Sequence, residues 1–317
     1  MFSFIKKIQE LLAKLKNNKG LFFTTLSLLS ISGIAIFMYI ILTMTGTVKD
    51  EVYLSISEDY IKTLQNILDE KKEKYLEISK AIVINKEIIN AISTNNRKKL
   101  SVQSNLLNKT YKKNGINSLK ISFFPVLETK AVIRPTISST LRSKSQVYGI
   151  EVQQSGVYIT LIKPLKIKGK FIGLMEIKES IHSLRKNFEA QDNNFVFLLD
   201  KKQLIKLSLK TKSGRYKSVI DDFLVYQSAY SSRFYSKITD TGEDQFKQAL
   251  KTSHDSDDVF FRTYKKATDI NGVEIGLYVM GEQIEKNNGF VNIADNMIKS
   301  VTYVSLGLVI SILLFMF

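Results

Sequence analysis

The chain has 317 residues, with 46 Lys and Arg against 30 Asp and Glu, a net charge of +16. It contains no Cys, which excludes a disulfide framework, thiolate metal sites and a cysteine nucleophile. With no Trp and only three Pro, it also lacks the residues that tryptophan-rich or proline-rich recognition modules require.

Charged and apolar residues are segregated along the chain. Residues 1–20 form a basic arm in which Lys6, Lys7, Lys14, Lys16 and Lys19 are opposed only by Glu10. Ile5, Ile8, Leu11, Leu12 and Leu15 give that arm the spacing of an amphipathic helix on a membrane surface. Residues 21–44, LFFTTLSLLSISGIAIFMYIILTM, carry no charge. At about 1.5 Å per residue they match a hydrocarbon core of roughly 30 Å, which predicts a first transmembrane helix over residues 21–45. A cleaved signal peptide is the rival reading, but it would have a shorter apolar core and a small-residue cleavage site. The flanking lysines predict a cytoplasmic N-terminus. Residues 301–317, VTYVSLGLVISILLFMF, predict a second span that is incomplete in this chain. Residues of about 46–300 are then periplasmic, and the protein lies in a cell inner membrane. Removing the arm leaves 41 basic against 29 acidic residues, a net +12 for the rest.

The outer region begins with an uninterrupted helical pattern, residues 51–94, on which Tyr53, Ile56, Tyr60, Leu64, Ile67, Tyr75, Ile78, Ile82, Ile89 and Ile92 keep three/four spacing. Lys71 and Lys86 interrupt the stripe. A stalk and dimerisation helix over residues 46–94 follows from this length, and a homodimer from its seam. A second helix is expected over residues 97–113, closed by Asn114-Gly115. Strands are expected at 119–126, 129–133, 149–153, 157–162 and 170–177, with Lys168-Gly169 as a hairpin turn. Residues 179–188 read as helix, 195–200 and 205–209 as strands, and 243–251 as a short helix. Residues 259–268 and 273–280 form a hairpin about Asn271-Gly272, and a return helix over residues 284–300 leads into the second span.

An internal repeat organises these elements. At a constant offset of 103, Thr160, Lys163, Ile167, Gly169, Ile172, Gly173, Leu174, Glu179 and Ile181 match Thr263, Lys266, Ile270, Gly272, Ile275, Gly276, Leu277, Glu282 and Ile284. Each copy reads strand, glycine turn, strand, helix. The expected fold class is α+β, with two tandem modules at residues 95–190 and 191–283.

A long N-terminal helix followed by two modules with a repeated Gly-x-x-Ile-Gly hairpin resembles the double Cache extracytoplasmic sensor domains of bacterial chemotaxis receptors and sensor histidine kinases. The resemblance spans residues of about 50–300. It is densest at Gly149-Ile150-Glu151, Pro164, Lys168-Gly169 and Gly173-Leu174-Met175-Glu176, with Arg134 and Arg142 upstream. One departure is Thr160, which stands where relatives often carry Arg. The resemblance implies PAS-like modules with antiparallel sheets, the first membrane-distal and the second membrane-proximal. It also implies a signalling role in which a small ligand, a carboxylate or an amino acid, binds the distal module. A chemotaxis receptor is favoured over a sensor kinase.

Period-two alternation puts Tyr158 and Thr160 on one side of their strand, with Glu176 on the adjacent one. Together with Arg134 and Arg142 they form the expected ligand-binding set, because a guanidinium grips a carboxylate and a carboxylate holds an amine. The plain alternative is that these charges are solvated or pair with one another. His254-Asp255-Ser256-Asp257-Asp258 reads as a solvated acidic loop rather than a metal site, and His182 as a surface or packing residue. No catalytic constellation, cofactor motif or metal-ligand spacing is present, so an enzyme is not expected. The lysines lack interleaved aromatics and predict no nucleic-acid partner. The alternative function is a membrane-anchored envelope interaction protein without ligand-gated signalling.

Overall fold

The computed structural model describes residues 19–116, 118–126, 134–212, 215–220, 222–226, 232–285 and 290–316. Residues 1–18 of the basic arm lie outside these, as do the side chains of most of residues 21–44 and of nearly half of 301–317. Among the described residues no helix is long and apolar enough to cross a membrane.

Helix α1 (Lys19–Val83) runs for 65 residues. The expected helix over 51–94 is interrupted earlier than its pattern implies. Asn85 accepts hydrogen bonds from the backbone of Glu87 and Ile88, and so starts a separate helix, α2 (Lys86–Ser93). Asn96 caps α3 (Arg97–Lys113) in the same way.

Residues 54–289 form one compact unit containing two antiparallel sheets. The first has β1 (Lys120–Pro125), β2 (Val147–Gln153), β3 (Gly156–Ile167) and β4 (Lys170–Ser180), in the order β1-β4-β3-β2. Helix α4 (Pro135–Ser143), which the sequence pattern did not reveal, precedes β2, and α5 (Leu184–Glu189) follows β4 through a 3-10 turn. The expected helix over 179–188 therefore starts late, because Glu179 still belongs to the sheet. The expected strand at 129–133 lies outside the described residues.

The second sheet has β5 (Asn194–Asp200), β6 (Tyr216–Ser218), β7 (Phe223–Tyr226), β8 (His254–Ser256), β9 (Phe260–Thr268) and β10 (Glu274–Gln283), in the order β6-β7-β5-β10-β9-β8. Residues 205–209 are not a strand. They span a 3-10 turn and the start of α6 (Leu209–Lys212), and Ile205 and Leu209 are each 83% exposed. Helices α7 (Ser232–Asp240) and α8 (Glu243–Thr252) cover one face, and α9 (Phe290–Met316) follows in sequence.

Helix α1 packs against one face of each sheet. Tyr60 stacks on Phe261 of β9 with ring centroids 6.4 Å apart, and Ser57 Oγ donates to Ser253 O at 3.3 Å. Further along, Tyr148 Oη of β2 donates to Leu68 O at 2.7 Å, and Lys163 Nζ of β3 to Ser79 Oγ at 3.1 Å. Lys71 is in phase with the stripe rather than an interruption, reaching Glu179 of β4 at 2.5 Å.

The repeat is visible in both hairpins, with one correction. Gly173 and Gly276 each follow a bulge in the strand pairing, and a Cβ at either would collide with the carbonyl oxygen of a neighbouring strand, Phe124 or Leu198. On β9, however, the register is displaced by one residue. Thr160 faces away from α1, opposite Gly149 and Lys178, whereas Thr263 pairs with Met280 on the face that also carries Phe261. Identical residues in the repeat thus point to opposite faces, a difference a constant offset cannot express.

Where chain leaves the first sheet, His182 stacks on Tyr226 of β7 at 5.1 Å, a packing role. Burial lowers its pKa to about 4.

Two outcomes are expected. Gly276→Ala forces the strand against Leu198 and should cost about 3 kcal/mol in urea unfolding, the size of a backbone clash in a packed sheet. Because the folded state holds His182 unprotonated below its ordinary range, stability falls with pH between about 6.5 and 4. His182→Phe keeps the ring contact and should show a smaller loss of Tm over that interval.

Candidate functional site

The face of the first sheet turned away from α1 carries a buried polar cluster under α4. Cross-strand register dictates its members. Glu151 opposes Tyr158, Gln153 opposes Gly156, Thr160 opposes Lys178, and Ile162 opposes Glu176. Side chains on opposed residues share a face. Arg134, at the N-cap of α4, reaches into this set because Pro135 begins the helix at a fixed angle.

The Arg134 guanidinium donates through Nη2 to Glu151 Oε2 and Glu176 Oε1, both at 2.5 Å, and through Nε to Glu151 Oε2 at 3.1 Å. Gln153 Nε2 donates to the same two carboxylates, at 2.9 Å and 3.1 Å. Lys178 Nζ donates to Gln153 Oε1 at 2.5 Å, lies 3.3 Å from Glu176 Oε2, and sits 4.8 Å from the centroid of the Tyr158 ring. Thr136 completes the set, its backbone N–H and Oγ1 donating to Glu151 Oε1 at 3.2 Å and 2.7 Å.

Glu151 is 2% exposed and Glu176 1%. Burial alone would raise the Glu151 pKa, but hydrogen bonds and charge from Arg134, with those from Thr136, hold it below the usual carboxylate range. Burial would lower the Arg134 pKa, and the two carboxylates raise it instead. Two cations face two anions. The Thr160 Oγ1, fully buried on the same face, has no hydrogen-bond partner among the described residues.

Four of the five residues expected from sequence therefore share this face: Arg134, Tyr158, Thr160 and Glu176. Arg142 does not join them; it is exposed in the last turn of α4. Arg134 and Glu176 pair directly with each other. Glu151, Gln153, Lys178 and Thr136 were missed. The signal for them was present, since extending the alternation of Tyr158 and Thr160 to both flanking strands selects Glu151, Gln153 and Lys178.

The second sheet uses the corresponding face differently. Val196, Leu198, Val225, Phe234, Ile238, Phe246, Phe260, Tyr264, Leu277 and Val279 fill it as an apolar core under α7 and α8. Asp255 and Asp257 are not a solvated loop. They accept three bonds of 2.7–2.8 Å from Arg262, itself 1% exposed.

Removing one member of the first cluster exposes the others to an unbalanced charge. Glu151→Ala should cost about 3 kcal/mol in denaturant unfolding, and Arg134→Met combined with Glu151→Gln should cost less than the two single changes together.

The chain is similar to several solved sensor domains. The ligand-binding domain of the Campylobacter jejuni chemoreceptor Tlp3 in complex with L-valine is 13% identical, with 81% of this chain and 98% of that one covered at a TM-score of 0.39. For the Pseudomonas fluorescens chemoreceptor CtaA in complex with L-isoleucine the values are 11%, 80%, 99% and 0.38. For the sensor domain of the V. cholerae histidine kinase DctB they are 12%, 74%, 99% and 0.37. No protein-family model matches the chain, and no curated protein sequence does.

Proposed function

We propose that this protein is the sensory input region of a membrane-anchored receptor, and that the cluster under α4 binds a small extracytoplasmic ligand carrying a carboxylate, an amino acid above all. The observation that carries this reading is a charge-balanced, buried polar cluster with one hydroxyl left over. Arg134 and Lys178 supply donors for a carboxylate, Glu151 and Glu176 accept from an ammonium, and Thr160 Oγ1 offers a further hydrogen bond. A zwitterion keeps the buried charge at zero, whereas a simple ion would leave one group uncompensated.

The sequence supports membrane anchorage through the charge-free residues 21–44, the five lysines before them and the apolar residues 301–317. In this reading the N-terminus is cytoplasmic and the outer region periplasmic. The output is chemotactic in preference to kinase control, and the receptor is a homodimer. Ligand binding shifts the population of two states of the first sheet and thereby the segment entering α9. The second reading, an envelope interaction protein without ligand gating, draws on one observation: all four charges find partners within the chain.

Calorimetric titration of the full chain in nanodiscs with the proteinogenic amino acids and small dicarboxylates discriminates between them. Sensing predicts a saturable heat for at least one compound, weakened by about tenfold or more in Arg134→Ala and in Glu176→Gln, the loss of one charge-assisted hydrogen bond. Undiminished affinity in both variants would displace the site. No binding by any compound would favour the second reading.

A further inference from the structure

The wall of this face is not made by the first module alone. Strand β2, which carries Glu151 and Gln153, is an edge of its sheet, and its outer side is occupied by the second module. Ile270 N–H donates to Ile150 O at 3.2 Å. At the other end, Gln154 O accepts from Ser208 N–H at 3.0 Å and from Thr211 Oγ1 at 2.8 Å. The two attachments bracket the cluster-bearing residues.

The side chain of Ile270 goes further. A Cβ at Gly149 would lie 3.3 Å from Ile270 Cβ, so Ile270 stands where a side chain at position 149 would begin. Gly149 directly opposes Thr160, which places Ile270 on the cluster's face at the end of the Gly149–Thr160 pair. The turn that carries it is braced. Asp269 Oδ1 accepts from Asn271 N–H at 2.9 Å and Val273 N–H at 3.1 Å, Lys206 Nζ lies 3.9 Å from Asp269, and Gln203 Nε2 donates to Glu274 O at 3.3 Å. These contacts tie Ile270, the 3-10 turn before Ser208 and the start of β10 to one another.

We propose that Ile270 closes the ligand face of the first module and is the residue through which the second module reads the position of β2. Its ligand half rests on the function proposed above; its mechanical half does not. A ligand that draws Glu151 or Gln153 displaces a short stiff strand, and the displacement reaches Ile150 and Gln154 within one residue. From there it enters the turn leading into β10, which precedes α9 in sequence. Coupling of this kind is reciprocal, so a change at the turn must also be felt in the cluster.

Amide hydrogen exchange on the full chain in nanodiscs tests this without a ligand. Glu151→Gln should accelerate exchange of the Ile270 and Ser208 amides by about tenfold while leaving Val279, in the middle of β10, unchanged. Ile270→Ala should in turn accelerate the Thr136 amide, which donates to Glu151. Thr211→Val removes the hydroxyl bonds to Gln154 O and to Ser208 Oγ and gives the reciprocal measurement should Glu151→Gln not fold. Wild-type exchange at Ile270 and Ser208 in Glu151→Gln, or at Thr136 in both turn variants, overturns the proposal. A chain that shows this linkage but binds none of the amino acids or dicarboxylates refutes only the ligand site. A chain that binds one without the linkage refutes only the role of Ile270.

Discussion

Helix α1 is the constraint on which the rest depends. From Tyr53 to Ile82 its buried residues, with partly buried Lys71 between Ile67 and Tyr75, keep three/four spacing, long enough for roughly 45 Å of wall at helical rise. Two sheets lie along it, one at Tyr60 and one at Leu68 to Ser79. Each sheet therefore has one face committed to α1 and one free to differ. The seam carries Ser57–Ser253 and Tyr60–Asn193 hydrogen bonds beside the second sheet, and beside the first it adds a charge pair, Lys71–Glu179, with Lys163–Ser79 and the Tyr148 hydroxyl. Directional contacts fix the register of the first sheet on the helix more tightly than apolar packing alone would.

The free faces show how one repeat comes to serve two purposes. Both hairpins keep the bulge and the glycine that lets the neighbouring strand approach, because the backbone geometry of the bend tolerates no Cβ there. The one-residue displacement on β9 turns Arg262 and Tyr264 toward α8 and Thr263 toward α1. Arg262 is then closed off by Asp255 and Asp257, and phenylalanines fill the remaining volume. In the first module the same face keeps its polar residues and is covered by a single short helix.

Much of this was legible in the sequence. The α1 stripe, the two hairpins and the β-strands at their centres follow from periodicity and glycine turns, and four of the five proposed site residues converge. The failures have physical reasons. Asn85 ends α1 because a side-chain cap outweighs continued periodicity within one turn. Helix α4 is hidden by its Ser and Thr content, since Thr136 and Thr140 are buried for hydrogen bonding and carry no apolar signal. Ile205 and Leu209 looked like a strand but lie exposed on short helical turns. Asp255 and Asp257 read as solvent-facing until Arg262, a few residues away, is seen to cross the sheet toward them. Arg142 matched a pattern of composition, yet α4 directs its last turn away from the cluster.

A buried set of four charges is poor material for stability, since desolvation offsets most of what the pairs gain. An apolar face like that of the second module would hold the sheet as well. Retaining the charges makes physical sense where their partners can be exchanged. Arg134 and Lys178 are already stripped of most water and held by hydrogen bonds, so in the function proposed above a ligand carboxylate would meet donors whose desolvation cost has largely been met in folding. The same holds in the opposite sense for Glu151 and Glu176. Exchange of an internal partner for an external one leaves net charge and hydrogen-bond number nearly constant, which confines the free-energy difference between the two states to a narrow range. What does change is geometry. Because Glu151 and Gln153 share a strand pinned at Ile150 and Gln154, a change of partner at the cluster would, in the coupling proposed above, become a change of position at its edge.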